Sequence, residues 1–372
     1  MRALIKCLAF LLFLFKFGIA FEPELVLEMP VEGKTIKGDI LDGKLILSSQ
    51  EKFWVITPKG KESFQMNLKP NQGLVTSEKG KFFGITTYSK GAPAGFLAAK
   101  RFELYSTDGK KLWEVDPAFG GTAFYISNGA NLVVGISSGE GSLESRLVFY
   151  NHIGDLIFGT RIRFPQGISF SSNGKYVLVN SAKDGLLTFD DSGDLTANFG
   201  LCEKFAISSE GEYMATISAG NLRFYHQGKP IGNGLKINLL VREMSFSLEN
   251  KYLSVIDKKN LYLFEVQTGK LVWQYTLDQP ELSFISVDIS SDAEKIIAGI
   301  DFDKGRKAPP EQRHTKGLVY IFDKDGKSIW GNELSYKLWS SLFPRVQFSS
   351  DGKRFSIITR EKIYSFKGNG TK

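Results

Sequence analysis

Residues 168–195 read ISFSSNGKYVLVNSAKDGLLTFDDSGDL, and this stretch decides the fold. An apolar strand ends at the turn Ser171-Ser-Asn-Gly174, a second strand covers 176–181, and a third covers 186–190 before a second tight turn at Asp191-Ser-Gly-Asp194. Asn-Gly and Ser-Gly between apolar runs are hairpin signals, because Gly adopts positive φ without steric cost.

The unit recurs along the chain. Its first turn returns at 75–80, 126–129, 207–211, 246–250, 289–293 and 348–352, with a degenerate copy at 40–43. Its second turn is followed at fixed spacing by an aromatic: Gly60 then Phe64, Gly109 then Trp113, Gly154 then Phe158, Gly269 then Trp273, Gly326 then Trp330. Weaker copies at 191–194 and 227–229 fill the gaps. Each unit thus holds four short strands, here called a to d. The b strands at 176–180 and 296–300 are apolar on both faces, where a half-exposed strand would alternate. A four-stranded sheet with two apolar faces and a period of about 43 residues reads as one blade of a β-propeller.

The span 24–367 holds about eight such periods. The expected fold is therefore all-β, an eight-bladed β-propeller, with seven blades as the alternative if the weak first unit is not a blade. The chain opens with an orphan d strand at 24–29 and closes after a c strand at 362–366. An open ring would leave two unpaired edges, so the first strand is expected to complete the last blade.

The first twenty residues stand apart. Arg2 and Lys6 precede an apolar run, and Gly18-Ile-Ala20 is a small-x-small site, so 1–20 reads as a secretory signal peptide cleaved after Ala20. The run is far shorter than the ~20 apolar residues of a membrane span. Lys6 stands where lipoprotein signals have a small residue before their cysteine, so Cys7 is not read as a lipid attachment point. The remainder, 21–372, is one domain, and the expected location is periplasmic or secreted.

The formal charge of +7 on 372 residues falls further once Arg2, Lys6 and Lys16 are removed, and it is scattered rather than clustered. That gives no basic stripe for nucleic acid. Beyond residue 20 the chain keeps one cysteine, Cys202, so no intrachain disulfide is expected and the fold must stand on packing.

Leu263-Phe-Glu-Val-Gln-Thr-Gly-Lys-Leu-Val-Trp273 resembles the tryptophan repeat of quinoprotein-type propellers, with Leu263 and Glu265 in place of Ala and Asp. Residues 207–224 are similar to a WD40-type unit without its Gly-His and Trp-Asp signatures. The resemblance implies fold only. Quinone-dependent dehydrogenases of this group share adjacent cysteines over the cofactor, and Cys202 alone does not supply them, so no cofactor is expected.

Of the other chemistry-bearing residues, His152 and His226 follow c strands at tight turns, and His314 sits in a long loop. No Gly-x-Ser-x-Gly elbow partners it. Asp190, Asp191 and Asp194, and more weakly Asp301 and Asp303, could suit a cation, but Asp is also a preferred turn residue, and no metal is expected. Trp113, Trp273 and Trp330 recur with the repeat and read as packing between blades; Trp339 has no repeat equivalent.

The two faces of the disc are unequal. Alternating strands put the a–b and c–d turns on one face and the b–c and d–a loops on the other. The long segments 88–100, 138–145, 301–316 and 334–344 all fall on the second face, and long loops in a compact domain are commonly functional. Residues 301–316 carry Arg306, Lys307, Arg313 and His314; residues 334–344 carry Tyr336, Trp339 and Phe343. Aromatics beside arginines are the composition of interface hot spots. The expectation is a monomeric, non-catalytic protein- or ligand-binding scaffold whose partner is another envelope or extracellular protein, bound through these seven residues of the b–c/d–a face. The alternative is a cofactor- or metal-dependent enzyme with a site in the central channel.

Overall fold

The computed structural model describes residues 21–31, 34–37, 44–49, 51–89, 99–117, 122–138, 144–237, 240–303, 309, 316–335 and 344–368. These form eight four-stranded antiparallel sheets. Seven are made of consecutive strands within 35–67, 72–115, 122–163, 165–198, 204–236, 243–276 and 282–335. The eighth is Arg345–Phe348, Arg354–Ile358 and Lys362–Lys367, completed on its outer edge by Glu24–Pro30. The ring closes as expected, with Glu24 opposite Lys367 and Pro30 opposite Lys362. Eight blades are present, and the weak first unit is one of them.

Burial follows from the double-sided sheets. In the fourth blade Val177, Leu178 and Val179 are all inaccessible, and in the seventh Ile296, Ile297 and Ala298 are. Each core cluster spans two blades: Val133 and Val148 of the third pack with Phe102 and Leu104 of the second, for example. Phe53, Phe83, Phe102, Phe149, Phe224, Phe264, Phe322 and Phe355 are fully buried on b or c strands. Burying such a side chain contributes ~1.5–3 kcal/mol.

The repeated turns have distinct physical tasks. In the a–b turns the first serine is buried, and its hydroxyl accepts hydrogen bonds from backbone amides four or five residues on. Ser77 accepts from Lys81 and Phe82, both at 3.1 Å, and Ser349 accepts from Arg354 at 2.9 Å. A sheet buried on both faces must satisfy its turn amides internally, and this serine does so. The turn also needs one residue at positive φ. Gly80, Gly174, Gly211 and Gly352 supply it, but Ala130, Asn250 and Ala293 hold the same conformation at φ 52°, 58° and 56°. In the third blade the left-handed residue is thus Ala130, not Gly129 as the motif spacing suggested.

The c–d turns explain the second repeat. The glycine of one blade lies on the d-strand aromatic of the blade before it. A Cβ at Gly154 or Gly326 would sit 2.9 Å from the ring of Trp113 or Trp273. Trp273 also donates from Nε1 to the Lys324 carbonyl at 2.8 Å, a bond across the blade boundary. Trp330 meets Phe355 and Phe366 of the last blade at 5.6 and 5.9 Å between centroids. The recurring tryptophans are packing residues. At the closure Leu27 takes the aromatic's place, and a Cβ at Gly60 would meet it at 2.8 Å.

Deleting residues 21–30 should lower stability by about 3 kcal/mol or more, since it removes the partner of Lys362–Lys367 and bares part of the core; an unchanged urea midpoint would contradict this closure. Ala130→Gly and Ala293→Gly should each stabilise by roughly 0.5–1 kcal/mol through relief of left-handed strain, measured by equilibrium denaturation.

Candidate functional site: the central channel and its two faces

The a strands surround a central channel. At the a–b face it widens into a cavity of about 510 Å³ to which seven of the eight blades contribute. Phe170, Phe205, Phe246 and Phe348 come from the a strands, and Ser172, Ser209, Ser291 and Ser350 from the turns. Its charged lining residues are Glu78, Lys79 and Asp288.

Deeper in the sixth to eighth blades the a strands are joined by a polar seam. Asp288 accepts from Ser245 Oγ of one neighbouring blade at 2.7 Å and from the Phe348 amide of the other at 2.8 Å. It also accepts from the Ile289 amide at 2.9 Å. Burial raises its carboxyl above the usual range despite these donors. Glu243 accepts from the Val287 amide at 2.8 Å. Its side chain keeps exposed surface but is closely surrounded by protein. That enclosure pushes it up to about 7, with Asp288 adding to the rise while the Val287 amide, Arg345 and Lys204 oppose it. Ser286 Oγ donates to the Pro344 carbonyl and Arg242 Nη1 to the Phe284 carbonyl, both at 2.8 Å.

Sequence reasoning missed Glu243 and Asp288. The signal was present: a carboxylate two or four residues before the turn serine, inside an otherwise apolar a strand, must point at a neighbouring blade or the channel. The turn motif drew attention to the residues after the serine instead.

The opposite face is held by polar clamps. Arg163 donates from Nε to Asp184 at 2.8 Å, its backbone amide donates to the same carboxylate at 2.7 Å, and Ser181 Oγ donates to the Arg163 carbonyl. Lys259 Nζ donates to the carbonyls of Gln279, Pro280 and Leu282 at 2.8, 2.9 and 2.6 Å, fixing the d–a connection of the sixth blade to its b–c turn. Loss of hydration lowers the pKa of that ammonium. Lys34 and Lys52 lie 4.9 and 5.3 Å from the centre of the Trp54 ring.

Arg306, Lys307, Arg313, His314, Tyr336, Trp339 and Phe343 lie outside the described residues, as do residues 1–20 and the degenerate turn at 40–43. The strands that flank the long segments end on one face: Lys295–Phe302, Lys316–Asp323 and Ser328–Ser335 pair so that Phe302 faces Lys316 and Lys316 faces Ser335.

Other sequence candidates resolve locally. Asp190 accepts from the Ser192 and Asp194 amides at 3.0 and 2.9 Å, which is turn chemistry. Asp301 is a buried residue of Lys295–Phe302. Among the described residues no three His, Cys, Asp or Glu side chains gather as a metal site. His152 is exposed in its turn, and His226 stacks on Tyr213 with centroids 4.6 Å apart. Cys202 is half-buried, and burial pushes its thiol up to about 11, which leaves it a weak nucleophile.

The Glu243 shift sets a pH prediction. A carboxyl raised from 4.5 to about 7 on folding binds protons more tightly in the folded state. Its stabilising contribution is full below 4.5 and is lost as the pH rises through about 7. Glu243→Gln keeps an acceptor for the Val287 amide and should flatten the denaturation midpoint across that window; an unaltered pH profile would contradict the assignment.

No protein-family model matches this chain, and no curated protein sequence matches it. Among solved structures, a eukaryotic initiation factor superimposes with a TM-score of 0.57 at 13% identity, covering 94% of this chain and 87% of its own. KlHsv2 with loop 6CD replaced by a Gly-Ser linker gives 0.51 at 12% identity, covering 84% and 99%. Hydrazine synthase of Kuenenia stuttgartiensis gives 0.47 at 15% identity, covering 63% and 72%. At these identities the likeness to the first two is one of architecture alone, the β-propeller.

Proposed function

We propose that the protein is an exported, non-catalytic propeller that binds a protein partner in the envelope or extracellular space through its b–c/d–a face. The observation that carries this is the inequality of the two faces. The described a–b and c–d connections are short turns closed by their own backbone hydrogen bonds, such as Gly174 to Ser171 at 2.9 Å and Gly326 to Asp323 at 3.0 Å. The connections at 89–98, 139–143, 304–315 and 336–343 all fall at the other face by strand order. The last two, rooted in the seventh and eighth blades, carry Arg306, Lys307, Arg313, His314, Tyr336, Trp339 and Phe343.

Export rests on the basic, apolar and small-x-small pattern of residues 1–20. The quinoprotein- and WD40-type resemblance of 263–273 and 207–224 is compatible with a scaffold. The rival reading, an enzyme working in the channel, would draw on Glu243 and Asp288. Both accept hydrogen bonds from adjacent blades, which is what a seam between blades requires of them.

Affinity capture from the native envelope tests the proposal. Trp339→Ala should weaken capture by ~2 kcal/mol or more, the scale of a hot-spot truncation, while the fold persists. Lys175→Ala and Lys353→Ala, on the opposite face, should leave capture unchanged. If Trp339→Ala unfolds the protein, its role is structural; if only the opposite-face changes abolish capture, the binding face is the other one.

A further inference from the structure

Four a–b turns carry a pair of serines: Ser171-Ser172, Ser208-Ser209, Ser290-Ser291 and Ser349-Ser350. The fold explains the first of each pair. Ser171, Ser208, Ser290 and Ser349 are buried, and each accepts the amide that closes its turn. It does not explain Ser172, Ser209 and Ser291. These side chains line the cavity at the a–b mouth of the channel, on the face opposite the one proposed above for the protein partner.

The hydroxyls of Ser172, Ser209 and Ser291 make no hydrogen bond among the described residues, and neither do those of Thr76 and Tyr125, which line the same cavity. The repeat thereby brings unengaged hydroxyls from several blades around one cavity. Each hydroxyl is both donor and acceptor, so together they match a ligand rich in hydroxyls rather than one with fixed polarity. Phe170, Phe205 and Phe246 supply apolar lining between them.

The charges argue for a neutral ligand. Asp288 is committed to Ser245, Ile289 and Phe348. Glu78 and Lys79 are sequence neighbours of opposite sign at the rim. At about 510 Å³ the cavity falls within the ~300–1,000 Å³ range of small-molecule sites. An extended peptide would want donors and acceptors along a line. Here they are distributed around a ring.

We propose that the a–b mouth of the channel is a binding site for an uncharged oligosaccharide, held by Ser172, Ser209, Ser291 and the Tyr125 phenol. Calorimetric titration of the full chain with trisaccharides of glucose, mannose and N-acetylglucosamine tests it, with tetra-alanine as a peptide probe. At least one trisaccharide should bind saturably at a single site. The combined variant Ser172→Ala, Ser209→Ala, Ser291→Ala should weaken that binding about tenfold or more with its unfolding midpoint unchanged. Tyr125→Phe, which removes one hydroxyl and keeps the ring, should weaken it as well, and decides the matter if the combined variant unfolds. Absence of saturable sugar binding at millimolar concentration, sugar binding that survives these changes, or binding of tetra-alanine alone would each overturn the proposal.

Discussion

A four-stranded sheet with two apolar faces is unstable until both faces are covered, and every blade of this protein is such a sheet. The strands Tyr176–Ser181 and Lys295–Phe302 have no polar side to turn to water. Covering one blade requires two more, and the demand ends only when the last blade meets the first. Ring closure is therefore a consequence of the hydrophobic pattern of single strands. The pairing of Glu24–Pro30 with Lys362–Lys367 meets that demand with the material left over at the two ends of the propeller.

The same constraint governs the polar groups. Turn amides enclosed between blades need acceptors, and in the described a–b turns of the second to eighth blades the first serine is a small side chain that reaches them. Where the channel passes the last three blades, side-chain carboxylates take over that task across blade boundaries. Asp288 bridges three consecutive blades from a half-buried position on the cavity wall. Such a group is costly to bury and is tolerated because several donors converge on it.

The architecture was legible because its signals are local and repeated. Ser-Ser-Asn-Gly174 marks a turn without knowledge of any other residue, and repeating the mark gave both blade number and phase. Trp113, Trp273 and Trp330 were readable as packing for the same reason. The site was less legible. Glu243 and Asp288 acquire meaning only when neighbouring a strands are brought together, and nothing within 243–246 or 286–289 names the partner. Conformation also departed from composition where the repeat degenerates: Ala130 and Ala293 adopt a glycine's backbone angle because the surrounding turn imposes it. The residues of the long loops were legible as a cluster by strand order alone, and their role rests on composition.

The strand Glu24–Pro30 is among the first parts of the propeller to leave the ribosome, and its partner Lys362–Lys367 is the last strand to do so. Intermediate blades can form hairpins of short sequence separation as they emerge. The eighth cannot become a complete blade until the rest of the propeller exists. Until then the outer edge of one sheet and a free apolar strand coexist, a state open to pairing with another chain. The decisive contact is thus also the most non-local one, and such contacts form slowly because loop closure precedes any reward. The latch that makes the finished ring stable leaves the unfinished one exposed for as long as its synthesis lasts.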